Sequence, residues 1–365
     1  MLTDAIKATI TEYANGMSKP ISIVLNIGEH EKRRELRDFI ESISSITDLI
    51  SFTEKDILKL EFDLIIATSM TDLSTLRGLN PQLSQIQTIV YFHENQFVYP
   101  IQNEVVQREV FHFCMLNLYT AMCSDRLLFN SDYNRQSFLK GVLDLLRKMP
   151  DYAPKSIVEI LRNKSFVQPV PLDNRIWKKR DALEEEKSDA FKIIWNHRWE
   201  YDKNPELFFN ILKTVKDNGF RFKLIVIGES FGNSPKIFEE SKIQFEEDIL
   251  EWGYLKTFDD YAKCLCQADI LPVTSNQEFF GVSVMEAVHC GVWPILPNKL
   301  SYRELFADEG LMENIYNNDS TLIKKIENAI TNVEYIRENS LESISNKYKW
   351  ENIVKDYDET FEKMM

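Results

Sequence analysis

The sequence predicts an α/β fold: two doubly wound domains, each a mainly parallel sheet with helices on both faces. Three observations predict it. Short β-branched runs alternate with longer amphipathic stretches, the order that parallel strands and their crossover helices require. The runs are nearly continuous in apolar residues, as strands buried on both faces must be. At 365 residues the chain also exceeds what one ordinary core organises and suits two domains.

Taken in order, the first half offers ISIVLNI (21–27), FDLIIAT (62–68), QTIVYF (87–92), DRLLFNS (125–131) and SFVQPVP (165–171). The second half offers FKIIWN (191–196), FKLIVIG (222–228), DILEWG (248–253), DILPVT (269–274) and VWPILP (292–297). Helical patterns lie between them, among them PELFFNILKTVKDNG, which starts at Asn204-Pro205 with proline at its first position, and FDDYAKCLCQA. The segment DNRIWKKRDALEEEKSDA (173–190) is charged and carries no strand signal, so the boundary falls there. The expected domains are 1–175 and 176–345, followed by one amphipathic helix over 346–365. In such sheets ligands bind beyond the carboxyl ends of the strands, which puts the site in the cleft between the domains.

A composition of 44% hydrophobic and 12% aromatic residues is that of a globular protein. No window approaches the roughly 18 uninterrupted apolar residues of a membrane span. The opening MLTDAIKATITEY lacks the basic end and apolar run of a signal peptide. The five cysteines (Cys114, Cys123, Cys264, Cys266 and Cys290) follow no framework spacing. Both features point to a reducing cytoplasm. Cys264 and Cys266 stand two apart with no second pair, so no metal site is expected there. The net charge of −14 opposes indiscriminate polyanion binding. Residues 126–180 depart from that average, with 12 Lys and Arg against 5 Asp and Glu. That excess is either ordinary solvated charge or a basic face on one domain.

Three constellations carry chemistry. In SNQEFFGVSVMEAVHCGVWP (275–294), a loop leads into a helix that Gly291 stops. Gly281 stands at the helix start, where free amides and the dipole favour an anion such as phosphate. Glu278 lies in the loop and Glu286 in the second turn. The pair is therefore offset along one elongated ligand, and a carboxylate is a good acceptor for the vicinal diol of a ribose or hexose. The spacing alone leaves a solvated loop Glu and a capping Glu equally open. In WNHRWEYDKNPELFF (195–209), Arg198 and Lys203 follow a strand and could neutralise a diphosphate leaving group. In YFHENQFVYP (91–100), His93, Glu94, Asn95 and Gln96 follow a buried strand of the first half and face the cleft from the other side. The second His of a zinc-protease helix is absent.

Weaker signals surround these. Gly228 and Glu229 open GESFGNSP (228–235), a tight strand-to-helix turn near phosphates but not the dinucleotide fingerprint. Trp252 and Tyr254 could flank a base, although buried aromatics are commoner. Asp356-Tyr357-Asp358 has the Asp-x-Asp form of metal-dependent sugar transferases but falls in the final helix, where it reads as solvated.

EFFGVSVMEAVHCGVWP resembles the signature of family 4 retaining glycosyltransferases, which have the GT-B fold of two facing Rossmann-like domains. YFHENQFVYP, LLFNSDYNRQSFL, WNHRWEYDKNPELFF and ADILPVTSNQEFFGV are similar to one subgroup, the tRNA-queuosine mannosyltransferases and their bacterial relatives. The resemblance runs from about Phe62 to Gly310. It implies a hexosyltransferase using a nucleotide sugar, GDP-mannose first among them, with no cofactor and no metal. Glu286 would hold the donor ribose. Glu278, with the amides of Phe279, Phe280 and Gly281, would hold the sugar. Arg198 and Lys203 would stabilise the leaving diphosphate, and His93 would contact the transferred sugar. Gly228, Glu229 and Tyr254 complete the donor side. Gly28, His30, Glu94, Asn95 and Gln96 form the acceptor side. The final helix would cross back onto the first domain. Relatives carry Gly-Gly-Ser-His after the first strand, where NIGEH keeps only Gly28 and His30. The implied acceptor is queuosine in tRNA, met through the basic stretch 126–180. A small glycan or metabolite acceptor and a catalytically silent nucleotide-sugar binder are the alternatives.

Overall fold

The computed structural model describes residues 21–25, 33–47, 50–54, 62–99, 104–149, 153–176, 189–230 and 234–364. The chain divides into two compact units, Met1–Asp63 with Leu76–Ile86 and Leu64–Thr75 with Gln87–Met365. In the first, β1 (Ile21–Leu25) and β2 (Ile50–Glu54) pair in parallel, and α1 (Arg33–Ser44) lies between them in sequence.

The second unit holds two larger sheets. One has the order β3-β4-β5-β6, from β3 (Leu64–Thr68), β4 (Gln87–Phe92), β5 (Arg126–Phe129) and β6 (Ser165–Val167), all parallel. The crossover from β4 to β5 is α2 (Glu104–Met122), and that from β5 to β6 contains α3 (Asp132–Lys148) and α4 (Ile157–Asn163). The other has the order β12-β11-β10-β7-β8-β9, from β7 (Lys192–Trp195), β8 (Lys223–Ile227), β9 (Ile249–Gly253), β10 (Ile270–Pro272), β11 (Trp293–Pro297) and β12 (Ile315–Tyr316), again parallel throughout. Its helices are α5 (Pro205–Asp217), α6 (Ile237–Gln244), α7 (Phe258–Gln267), α8 (Val282–His289) and α9 (Asp319–Thr331), followed by α10 (Val333–Glu338), α11 (Glu342–Asn346) and α12 (Trp350–Glu362).

Alternation along the strands builds a core on each face of the second sheet. Ile194, Ile225, Ile227, Leu271 and Leu296 pack on one face against α7 and α8. Ile193, Trp195, Leu224, Val226 and Ile295 pack on the other against α5, α6 and α9. This is why β7 and β11 are buried at every position and, apart from Lys192, read as apolar runs. The strands absent from the sequence reading have reasons of their own. β2, ISFTE, mixes polar and apolar residues, and β12 is two residues long.

The final helix returns to the first sheet, as expected. Tyr357, Phe361 and Met364 pack on Ile89, Tyr91 and Leu128. The Tyr357 hydroxyl donates to the Pro169 carbonyl at 2.8 Å, and that of Tyr91 donates to Gln168 at 2.6 Å. Tyr357, the middle residue of the Asp-Tyr-Asp triplet, is thus a packing residue, flanked by acids in a surface helix. Replacing it with Phe should leave a half-buried carbonyl without its donor and cost about 1 kcal/mol, read as a lower denaturant midpoint.

Candidate active site

β10 pairs with β7, so the loops that follow these two strands emerge side by side at their carboxyl ends. The loop after β7 carries a 3-10 turn, Tyr201–Lys203, which the second loop clamps. Asn276 N donates to Asp202 O at 2.7 Å, and Thr274 Oγ1 lies 2.9 and 3.0 Å from the carbonyls of Lys203 and Asn204. Asn204 adopts the left-handed conformation (φ 54°) and caps α5 through its side chain. Clamped this way, the nearly buried Lys203 donates to Gln277 O at 2.9 Å. Its Nζ also stands 3.2 Å from Asp202 Oδ2 and 3.3 Å from Glu278 Oε2. Glu278 turns its other oxygen onto the loop itself, accepting from the amides of Phe279 (3.1 Å) and Phe280 (3.4 Å). Gly281 precedes α8 at φ 102°, a backbone conformation that favours glycine, and a Cβ there would press on the Tyr302 ring at 3.3 Å.

Arg198 is more exposed and pairs with Glu200 at 3.2 Å. Without ligand the two cations therefore meet three carboxylates: Glu200, Asp202 and Glu278. Asp202, 3% exposed, escaped the sequence reading because an acid in a polar loop carries no sign of burial.

Glu286 lies in the second turn of α8 and accepts a 2.7 Å hydrogen bond from the Tyr261 hydroxyl. Burial pushes its carboxyl up to about 7. The Tyr261 bond opposes that rise, Asp173 adds to it, and Arg175 opposes it. Arg175 lies over the Phe258 ring at 4.3 Å and bonds to Asp173. Asn196 Nδ2 donates to Ser283 O at 2.8 Å and lies 3.4 Å from the Tyr261 hydroxyl. Tyr261, Asn196 and Arg175 come from three separate stretches of sequence, and no spacing rule links them to Glu286.

Gly228 is required by close approach. A Cβ there would stand 2.1 Å from the His197 carbonyl oxygen. His197 itself is buried and held neutral, its pKa driven down to about 3 by desolvation and then by Lys203, with Nδ1 3.0 Å from Ser283 Oγ. The Glu229 carbonyl accepts from Trp199 N at 2.9 Å, while its side chain is exposed. Tyr254 is 69% exposed. Trp252 packs on Trp199 and Phe209, at ring distances of 5.6 and 5.9 Å, and belongs to the core.

On the first sheet, His93 follows β4 with its ring 4.5 Å from that of Tyr91. Partial desolvation lowers its pKa, against a smaller upward pull from Glu94. It rims an apolar pocket of about 270 Å³ whose walls include Ile66, Tyr91, Leu128, Val170, Tyr357 and Phe361. Glu94 accepts from Gln96 Nε2 at 3.1 Å. The structure places two of the expected acceptor-side residues, Asn95 and Gln96, in the protein interior. Asn95 is fully buried, with Nδ2 2.9 Å from both Asn134 Oδ1 and Ser137 Oγ. Gln96 is buried as well, and its amide N–H donates to Asn117. Asn95 braces the loop from behind, its Oδ1 accepting from Phe97 N at 3.1 Å, and the Asn117 side chain holds the Gln96 amide, because a turn leaving a buried strand must satisfy its own backbone. The phenol of Tyr99 is pushed up to about 12, by burial and then by Tyr201, Asp202, Glu94 and Glu200 around it. The His93 loop and the Arg198–Lys203 loop thus face one another. Gly28 and His30 lie outside the described residues.

Among its described residues, the basic stretch is largely committed to partners within the chain. Arg135, Arg147, Arg162 and Arg175 pair with Asp132, Asp144, Glu159 and Asp173. Arg126 lies over Phe166, and Lys164 donates to the Ser124 carbonyl. Lys140, Lys148 and Lys155 are exposed. No helix among the described residues is long and apolar enough to cross a membrane.

Two Rossmann-like parallel sheets, with polar loops from the strand ends of both facing each other, define the GT-B architecture of glycosyltransferases. Solved structures agree on the fold. The Anabaena protein HepE, in complex with UDP, superposes with a TM-score of 0.66 at 13% identity, over 98% of this chain and 96% of that one. Sucrose-phosphate synthase from Thermosynechococcus elongatus superposes with a TM-score of 0.60 at 16% identity, over 93% and 80%. Residues 44–172 match the family described as tRNA-queuosine alpha-mannosyltransferase N-terminal, and residues 176–350 match glycosyl transferases group 1. The tRNA-queuosine alpha-mannosyltransferase of Drosophila melanogaster is 36% identical over 273 residues, 73% of this chain and 71% of that protein. The chain belongs to the tRNA-queuosine alpha-mannosyltransferase family of glycosyltransferases.

Two outcomes test this geometry. Tyr261→Phe removes the donor that favours the charged form of Glu286, so the carboxyl should titrate above about 7, read by carboxyl infrared difference spectroscopy. Gly228→Ala should destabilise by several kcal/mol, because backbone rather than a flexible side chain must move, read as a fall in Tm.

Proposed function

We propose that this glycosyltransferase moves mannose from GDP-mannose to a hydroxyl of queuosine in tRNA, with retention of configuration and without a metal. The observation that carries the reading is the family match over 44–172, because those residues include the His93 loop that faces the cleft. The Drosophila relative bears the same activity in its name. In this reading the acceptor domain extends to about residue 175. The donor domain follows it to about residue 345, and the reaction is cytoplasmic.

Each charged group has a task. Glu286, when ionised, accepts from the ribose diol. The diphosphate displaces Glu200 from Arg198 and Glu278 from Lys203, which turns a region of paired charge into an anion site. Glu278 is then free to accept from the sugar hydroxyls. The acceptor hydroxyl attacks the anomeric carbon on the face from which the diphosphate departs. The carbon–oxygen bond to phosphate breaks, its electron pair stays on the diphosphate, and the hydroxyl proton passes to that phosphate. Arg198 and Lys203 stabilise the developing charge, which is larger in the transition state than in the bound donor. His93, held towards its neutral form, contacts the sugar from the opposite side. Closure of the cleft keeps water from the donor. A small metabolite acceptor is the second reading, favoured by the internal pairing of the basic stretch.

Incubation with GDP-mannose and queuosine-bearing tRNA should give mannosylated tRNA, in chelator as in buffer, and Glu286→Ala should abolish it. Acceptor binding should weaken by about 10³ or more between low and moderate salt if the acceptor is tRNA, whereas a small acceptor would show little salt dependence. Donor affinity should be full above pH about 7 and fall as pH drops through it, because protonation removes an acceptor lone pair and the charge. Glu286→Gln should flatten that dependence.

A further inference from the structure

The segment FNSDYN (129–134), at the carboxyl end of β5, touches both sides of the cleft, and neither donor nor acceptor recognition uses it. On one side it holds the start of the His93 loop. Asn130 Nδ2 donates to the His93 carbonyl at 2.7 Å, and Asn134 Nδ2 donates to the Phe92 carbonyl and to Asn130 Oδ1, each at 2.9 Å. On the other side it holds the sugar-facing loop. Ser131, 1% exposed, accepts from Asn134 N at 3.0 Å as the cap of α3 and donates its own proton to the Phe279 carbonyl. The Tyr133 ring lies 6.1 Å from that of Phe279.

A second contact closes the same seam. Glu304, in the π-helical turn Arg303–Ala307, accepts from the amides of Asp132 (3.0 Å) and Tyr133 (2.9 Å). These are free donors of the first turn of α3, where a carboxylate is favoured twice, by hydrogen bonding and by the helix dipole. Ser301, three residues earlier, donates to the Phe280 carbonyl at 3.1 Å.

We propose that Ser131 and Glu304 are positioning residues, which hold the Glu278–Gly281 loop in register with His93 across the cleft. The need for them follows from what happens to Glu278. In the free protein its carboxylate ties down the amides of Phe279 and Phe280. Once sugar hydroxyls draw that carboxylate away, the carbonyl bonds from Ser131 and Ser301 still anchor these peptides. A displacement of about 1 Å between groups holding the two reacting partners costs on the order of 10²-fold in rate. Neither Ser131 nor Glu304 needs to touch donor or acceptor for this.

The kinetic half of the test rests on the transferase reading above, and the exchange half does not. Hydrogen exchange on the free full-length chain should show the 277–281 amides opening about threefold to tenfold faster in Ser131→Ala, the weight of one hydrogen bond. Ser131→Thr, which keeps the hydroxyl, should exchange as the parent does. Glu304→Ala should likewise accelerate exchange at 277–281 as well as at 132–133. In transfer assays, kcat should fall about tenfold or more in Ser131→Ala and Glu304→Ala, while the affinity for GDP alone stays within about threefold. A change confined to residues 131–135 would reduce Ser131 to a helix cap and overturn the proposal. An unchanged kcat, or a parallel loss of GDP affinity, would overturn it as well. Absence of transfer in the parent protein would count against the acceptor or donor named above and leave the exchange result to decide this one.

Discussion

The ammonium group of Lys203 is the point on which the site depends. Three acceptors converge on it, the Gln277 carbonyl and the carboxylates of Asp202 and Glu278, and all lie at the carboxyl ends of two adjacent strands. A nearly buried ammonium without such partners would be costly to hold away from water. A pair of buried carboxylates without the ammonium would repel each other. The loops after β7 and β10 therefore depend on one another, and each is further stitched by bonds from Asn276 and Thr274. Removing the ammonium would leave two carboxylates facing each other without a cation between them.

That arrangement has a functional corollary. Two cations facing three carboxylates make a poor anion site as they stand, and a good one once Glu200 and Glu278 turn away. The free site is thus a stable, charge-compensated version of the loaded one. In the proposed reaction, binding would exchange one set of charged partners for another, so a ligand lacking either the diphosphate or the sugar hydroxyls would complete only half of the exchange.

Legibility in the sequence followed distance along the chain. The ten strands read from apolar runs all appear, each trimmed by a residue or more except QTIVYF, because strand burial on both faces leaves a local signature. Lys203, Glu278, Glu286 and Gly281 stand out because each sits at a strand end or helix start that the sequence marks. Asp202, Tyr261, Arg175 and Glu304 do not. Asp202 looks like any loop acid, and Tyr261 like any aromatic on an amphipathic helix. Arg175 belongs to a charged connecting stretch, and Glu304 meets its partners 172 and 171 residues away. The polar run after β4 was legible as a loop, but not which of its groups hold the turn: the Asn95 side chain accepts from Phe97 N, while the Gln96 backbone amide is held by Asn117 from 21 residues away.

The sequence by itself determined the α/β architecture, the family and where the polar strand-end loops lie, because strand burial, glycine conformation and helix capping are properties of neighbours in the chain. Only the tertiary structure decided which charges are compensated and which are free. It set the carboxyl of Glu286 near 7, matched the described arginines of the basic stretch to partners, and put FNSDYN between the two sides of the cleft. Charge and proton affinity depend on what lies within a few ångströms in space, and a linear order of residues does not contain those distances.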